Sequence, residues 1–135
     1  MEAQKAITKS SFEYYRSGAE DEIALKENLS ALSHLKLNPR VLVDMTQLNF
    51  KTKFLGKEVA LPFGVAPTAS HKLINKQGEK ILAKATGKKG IVFTLSTLSS
   101  VSMGDVAASN GDGIRLMQIY VMKDRQLTLN QIRLA

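Results

Sequence analysis

The feature that most limits the fold of this sequence is a regular alternation of strand-like and helix-like segments from residue 62 onward. Three short apolar runs have the length of buried strands, and segments with helical periodicity separate them. The runs are Phe63–Ala66, Ile91–Leu95 and Ile114–Val121. Parallel strands need long crossover connections, which are usually helices. The order of segments therefore predicts an α/β fold with a parallel sheet.

The first crossover helix is predicted over Gln77–Lys89, with Gly90 as its stop. Its apolar residues Ile81, Leu82 and Ala85 are expected to form the buried face.

Two capping patterns predict the other helices of this region. Ser102 and Asp105 indicate a short helix through Ala108, and Thr128 with Gln131 indicates the start of a third.

The first 61 residues have a different pattern, so the chain is predicted to be one partial domain with two parts, 1–61 and 62–135. Two helices, an extended segment or strand, and a hairpin are expected in the first part. In chain order they are Ser10–Ser17, Glu22–Leu35 with Asp21 as its cap, Arg40–Asp44 and Thr52–Leu61.

Composition excludes several classes of function. The chain has 135 residues with 44% hydrophobic and 23% charged residues, which is typical of a globular domain or part of one. No cysteine is present, and His34 and His71 alone leave little material for a metal site or a Ser-His-Asp triad. The sequence lacks the glycine motifs of nucleotide-binding loops. It also lacks an apolar leader or a run long enough to span a membrane, so secretion and a membrane partner are not expected.

The positive charge is concentrated in the second half of the chain. The net charge is +7, and residues 68–135 carry ten basic and four acidic side chains, a net +6. Five lysines recur at a spacing of four, which on a helix would form one basic face. They are Lys72, Lys76, Lys80, Lys84 and Lys88. A solvated face is favoured and no nucleic-acid partner is expected, but a basic interaction protein that uses this face is the alternative hypothesis.

Polar side chains cluster where the predicted strands end. These ends are Ala66–Ala69, Thr94–Thr97 and Gln118–Tyr120. Ligands of α/β folds bind at the carboxyl ends of the strands. Hydroxyls, a carboxamide and a phenol without a strong base suit a hydrogen-bonded heterocycle better than a hydrolytic centre. Gln118 lies in an apolar run and therefore needs a buried partner.

Several motifs in colinear order resemble the N-terminal region of the FMN-dependent 2-hydroxy-acid oxidases, the family of glycolate and lactate oxidases. They are Tyr14–Glu22, Glu27–Asn28, Pro39–Asp44, Leu55–Gly56, Pro62, Ala66–Ala69, Gly78–Glu79, Thr94–Ser96 and Gln118–Arg125. The family fold is a (β/α)8 barrel with FMN at its C-terminal mouth. The resemblance implies that this chain is the N-terminal part of such a barrel, with about three of the eight β/α units after a helical N-terminal segment.

The resemblance also implies residue roles. Pro67, Thr68 and Ala69 would contact the flavin, and Ser96 and Gln118 would form hydrogen bonds with it.

Three further residues would contact the substrate. Tyr14 would bind its carboxylate, Tyr120 would lie near its hydroxyl and assist catalysis, and Leu98 would line the pocket. Glycolate-preferring members usually have Trp at the position of Leu98, so a longer 2-hydroxy acid is expected.

The family's catalytic base is a histidine late in the barrel. Neither His34 nor His71 matches it, so no catalytic base is expected in this chain, and the chain alone is expected to be inactive. A non-catalytic truncated product of the same gene is a further alternative. The resemblance implies oxygen as the acceptor, a homo-oligomer and a location in the peroxisome or the cytoplasm.

Overall fold

The computed structural model describes residues 2–135, which form two compact units divided between Leu48 and Asn49. The first unit contains three helices and a 3₁₀ turn. They are α1 (Glu2–Ala6), α2 (Lys9–Arg16), α3 (Ile23–Ser30) and the turn Ala31–His34. The predicted helix at Ser10–Ser17 is confirmed as α2, whose cap is the Thr8 side chain accepting from the Ser11 N–H at 3.2 Å.

The second predicted helix is shorter than expected. The α-helical part of Glu22–Leu35 ends at Ser30, and the N-cap is Glu22, in a left-handed conformation without a side-chain cap. The prediction that Asp21 caps this helix is therefore wrong. Residues 40–44 form no strand.

The second unit begins with the predicted hairpin. Strands β1 (Thr52–Phe54) and β2 (Lys57–Val59) pair in antiparallel register, with Thr52 opposite Val59. The turn residue Gly56 has φ +78°, a conformation that glycine adopts without strain.

The parallel sheet is confirmed. Strands β3 (Gly64–Val65), β4 (Val92–Leu95) and β5 (Arg115–Met117) lie in that order, and both pairings are parallel. The strands are shorter than the apolar runs that predicted them. Within residues 2–135 the sheet is open rather than closed into a barrel.

One helix follows each of these strands. They are α4 (Glu79–Lys89), α5 (Met103–Asn110) and α6 (Arg125–Leu134). Ser102 caps α5 as predicted, because its hydroxyl accepts from the Asp105 N–H at 3.2 Å. Within residues 2–135 no helix combines the length and the apolar character needed to span a membrane.

The predicted start of α6 is wrong. Asp124 caps the helix by accepting from the Gln126 N–H at 2.9 Å, four residues before Thr128. The Thr128 hydroxyl instead accepts from the Met122 N–H at 2.9 Å.

The core lies between the sheet and helices α4 and α5. Its buried members are Ala83, Phe93, Leu95, Val101 and Val106.

The face of α4 turned toward this core differs from the prediction. Glu79, Ala83 and Thr86 are its buried residues, whereas Ile81 is 45% exposed and Ala85 is also exposed. Leu82 is half-buried against the core. The prediction of Ile81 and Ala85 as buried is wrong, because the face that carries Glu79, Ala83 and Thr86 is the one turned inward.

The predicted five-lysine helix face is also wrong. Lys72 lies in a 3₁₀ turn and Lys76 in the turn before α4, so only Lys80, Lys84 and Lys88 share the helix. Gly78 precedes the helix with φ +58° and ψ −138°, which is not helical backbone. Residues 72–88 therefore do not form the single helix on which the basic-interaction hypothesis placed the five lysines.

Helices α4 and α5 approach closely at Gly87. The buried Asn110 carboxamide donates to the Ala83 carbonyl at 2.7 Å and to the Thr86 hydroxyl at 3.3 Å. A Cβ at Gly87 would overlap the Asn110 carbonyl oxygen. A side chain at position 87 would therefore force the two helices apart.

We expect Gly87→Ala to lower the free energy of unfolding by about 1–3 kcal/mol, the usual range for overpacking. Gly104→Ala is the matched control, because Gly104 lies in α5 with open space around it. There, alanine gains helix propensity of up to about 1 kcal/mol. Thermal or urea denaturation of both variants gives the comparison, and equal stabilities would contradict the predicted close approach.

Candidate functional site

The carboxyl ends of β3, β4 and β5 meet at one edge of the sheet, since the three strands are parallel. Residues 66–68, after β3, are exposed, and Ala69 is half-buried. Ser96, after β4, is 6% exposed, and Gln118, after β5, is half-buried. All five residues predicted to bind the cofactor therefore follow strands at this edge.

Gln118 has the partner predicted for it. Its Oε1 accepts from the Thr97 N–H at 3.1 Å and lies 3.5 Å from the Ser96 hydroxyl. The Thr97 hydroxyl in turn donates to the Gln118 carbonyl at 2.5 Å. Because Oε1 accepts these bonds, the carboxamide orientation leaves the Nε2 donors for a ligand.

The loop after β4 is also bonded to the segment after β3. The Ser70 N–H donates to the Leu98 carbonyl at 3.1 Å, and the Leu98 N–H donates to the Ser96 hydroxyl at 3.1 Å. Ser70 has φ +59°, a left-handed conformation that is uncommon for serine. The backbone of Leu98 is thereby held by one bond within its own loop and one from the segment after β3, while its side chain is 56% exposed.

The two tyrosines predicted to bind the substrate lie in different units. Tyr120 follows β5 and is 52% exposed. Tyr14 lies on α2 in the first unit, with its ring edge-on to that of Tyr15 at a centroid distance of 5.0 Å.

Thr68, in the segment after β3, makes a weak turn contact with the Ala66 carbonyl at 3.5 Å.

Sequence reasoning missed the role of Glu79, which is completely buried at the first position of α4. Its carboxylate accepts from the His71 N–H at 3.1 Å, the Ser100 N–H at 2.9 Å and the Ser100 hydroxyl at 2.9 Å. An acidic residue in a first helical turn was the available signal, but that pattern is ordinarily an exposed dipole partner.

Two opposing effects act on the carboxyl group of Glu79. Burial raises its pKa, but the N–H groups of Ser100, Glu79 itself and His71, with the Ser100 hydroxyl, outweigh burial and hold the pKa below its usual range. The group is therefore an anion at neutral pH.

The family of the chain follows from comparison with known proteins. The family model described as FMN-dependent dehydrogenase matches residues 3–135. The chain belongs to this family.

Curated relatives agree with this assignment. The glycolate oxidase of Spinacia oleracea is 39% identical over 133 residues, and glycolate oxidase 1 of Zea mays is 40% identical. A peroxisomal (S)-2-hydroxy-acid oxidase of Oryza sativa is 41% identical. Each match covers 98% of this chain but only 36% of the relative's length.

Solved structures of the family share the fold of this chain. A mandelate oxidase variant with (S)-mandelic acid matches with a TM-score of 0.90 and 32% identity, covering 98% of this chain and 39% of that one. A flavocytochrome b2 variant with pyruvate bound matches with a TM-score of 0.91 and 33% identity, covering 97% of this chain and 34% of that one. The predicted resemblance, and the FMN cofactor that it implied, are confirmed at the level of the family.

The donor set at the strand ends fits a flavin. A carboxamide with free donors, a buried hydroxyl and an exposed backbone segment after β3 suit the polar edge and the flat ring of such a group. Among residues 2–135 no cluster of three or more acidic, histidine or cysteine side chains is arranged for a metal. The chemistry of this edge is therefore compatible with hydrogen bonds to a flavin.

Glu79 predicts how stability depends on pH. Since its folded-state pKa is below the unfolded value, its contribution is complete above the unfolded pKa, near 4.5, and is lost as the pH falls through the folded pKa. We expect Glu79→Gln to be less stable than the parent protein at pH 7, and the difference to shrink as the pH falls below about 4.5. Denaturation curves at pH 3 to 7 measure this difference.

The matched control for this pH series is Glu58→Gln, the same change at an exposed position in β2, where the ion pair of Glu58 with Lys51 at 3.0 Å is a surface pair and contributes little to stability. The control should keep the acid dependence of the parent protein. A stability difference for Glu79→Gln that stays constant from pH 7 to pH 3 would contradict the assignment.

Proposed function

We propose that the full-length protein oxidises (S)-2-hydroxy acids to 2-oxo acids with FMN, and that oxygen reoxidises the flavin. The observation that carries this proposal is the Gln118 carboxamide, fixed by Thr97 at the ligand-binding edge of a chain that matches the FMN-dependent family over residues 3–135. The chain spans about 36% of the length of its curated relatives, so the activity is proposed for the longer protein.

The proposed residue roles follow from chemistry at the strand ends. The Nε2 donors of Gln118 and the Ser96 hydroxyl hydrogen-bond the flavin, and the backbone of Pro67, Thr68 and Ala69 lies against it. When bound, FMN supplies the two-electron redox chemistry, while the protein orients and polarises it.

The substrate is proposed to contact three residues. Tyr14 donates its phenol to the carboxylate, Tyr120 donates to the hydroxyl oxygen as charge develops there, and Leu98 lines the side-chain pocket. The proton acceptor is proposed to be a histidine in the part of the barrel that follows this chain in the family. We also propose that the full-length protein folds into a (β/α)8 barrel and forms a homo-oligomer. Its proposed location is the peroxisome or the cytoplasm.

The flavin-binding role of Gln118 is tested by titration. We expect Gln118→Leu to raise the dissociation constant of FMN about tenfold or more in the full-length protein, since lost hydrogen bonds to a buried polar group cost about 1–3 kcal/mol. Gln126→Leu, at an exposed position of α6, is the control. Quenching of FMN fluorescence gives both constants. Equal binding by the parent and Gln118→Leu proteins would exclude this role.

Leu98 predicts the substrate preference. A leucine leaves more room than a tryptophan and presents only apolar surface, and each methylene buried against it contributes about 0.8 kcal/mol. We therefore expect kcat/KM for 2-hydroxybutyrate to exceed that for glycolate by about tenfold or more. This expectation differs from the names of the curated relatives, several of which are glycolate oxidases.

The same measurement on Leu98→Trp tests the cause. The ratio of the two kcat/KM values should shift toward glycolate. Both values are measured on the same preparation, so the fraction of active enzyme cancels from their ratio and no further control is needed. A parent enzyme that prefers glycolate would overturn the predicted preference, and a ratio unchanged by the substitution would show that Leu98 does not line the pocket.

A further inference from the structure

Glu79 is the one ionisable side chain among the described residues that is completely buried. Its carboxylate joins two segments that are distant in the sequence, through the N–H groups of His71 and Ser100. The Ser100 hydroxyl donates to Glu79 at 2.9 Å and accepts from the Lys72 N–H at 3.0 Å. Glu79 and Ser100 together therefore bind the backbone of both residues 71 and 72.

These bonds connect the two loops of the proposed site. His71 and Lys72 directly follow the segment after β3, which contains the proposed flavin contacts Pro67–Ala69. Ser100 lies in the β4–α5 loop, two residues after Leu98. The direct backbone bond between the loops is the Ser70 N–H to the Leu98 carbonyl, at 3.1 Å. Glu79 joins the same two loops at His71 and Ser100, one and two residues farther along the chain than the two ends of that bond.

Connecting two loops through a buried carboxylate is unfavourable by itself, because removing a charge from water costs free energy unless several donors compensate for it. Here two backbone N–H groups of other residues and one hydroxyl compensate. Charge-assisted hydrogen bonds are about twice as strong as neutral ones. The arrangement therefore provides rigidity where an apolar contact would allow the loops to slide.

We propose that Glu79 is a positioning residue for the cofactor and substrate edge, which sets the β3–α4 loop against the β4–α5 loop so that Pro67–Ala69 and Leu98 keep their relative positions. This inference rests on the proposed function. Because Glu79 is completely buried, it acts on this edge through the residues that it binds, His71 and Ser100.

The variants isolate the carboxylate. Glu79→Gln keeps the size of the side chain but replaces one acceptor oxygen with an NH2 donor. This donor points at the N–H and O–H donors that the carboxylate accepts from in the parent protein. Ser100→Ala removes the hydroxyl and leaves both N–H bonds to Glu79 in place. Glu58→Gln is the matched control at an exposed position.

Two measurements are made on the full-length protein. Hydrogen exchange of the FMN-free protein reports the amides of residues 70–73 and 97–101, independently of activity. The FMN dissociation constant and the separate kcat and KM values for 2-hydroxybutyrate, all measured well below the melting temperature of each variant, report the positioning of ligands.

We expect exchange at both segments to accelerate at least tenfold in Glu79→Gln, and the FMN dissociation constant and KM to rise about tenfold. Ser100→Ala should give smaller changes in the same direction, and Glu58→Gln none. The double variant should be little worse than Glu79→Gln alone, because the two side chains belong to one network.

A merely structural role gives a different result. Reduced thermal stability with unchanged FMN binding and unchanged KM would overturn the proposal, and so would unchanged exchange at the two segments. If Glu79→Gln does not fold, Ser100→Ala decides by the same criteria.

Failure of the proposed function is distinguishable from failure of this inference. A parent protein that binds no FMN overturns the function and with it the role of Glu79 at a flavin site. A parent protein that binds FMN as tightly as its variants overturns only the inference.

Discussion

Parallel pairing of β3, β4 and β5 is the constraint on which the candidate site depends. Parallel strands all end at the same edge, so residues that are about 25 residues apart in the chain come together there. Leu95 pairs with Met117, and this register brings Thr97 within hydrogen-bond distance of the Gln118 side chain. The candidate edge therefore results from strand direction alone, before any side chain is specialised.

Two kinds of contact then stabilise this edge. Apolar packing of Phe93 and Leu95 on Ala83 and Val106 stabilises the sheet against α4 and α5, and one residue of the β4–α5 loop, Val101, belongs to the same core. The loops are set by directional bonds, from Ser70 to Leu98 and from two backbone segments to Glu79. Hydrogen bonds have a narrow range of geometry, so they fix the relative position of the two loops more closely than apolar contacts do.

Much of the fold was predictable because it depends on local patterns. Apolar runs of strand length, the Ser102 cap and the hairpin turn each act over a few residues, and the structure contains all of them. Two of the errors arose where two local signals competed. Asp124 caps α6 ahead of Thr128, and the non-helical Gly78 interrupts the lysine spacing that a continuous helix would need.

The sequence by itself determined the order of the elements, the parallel sheet and the presence of polar groups at the strand ends, since Gln118 in an apolar run had to find a partner. Only the tertiary structure decided which face of α4 is buried and which atoms satisfy Glu79. The reason is that a charged residue becomes buried when donors from elsewhere in the chain surround it. The donors of Ser100 to Glu79 lie 21 residues away in the sequence. Such partners depend on how the loops meet, which no local pattern encodes.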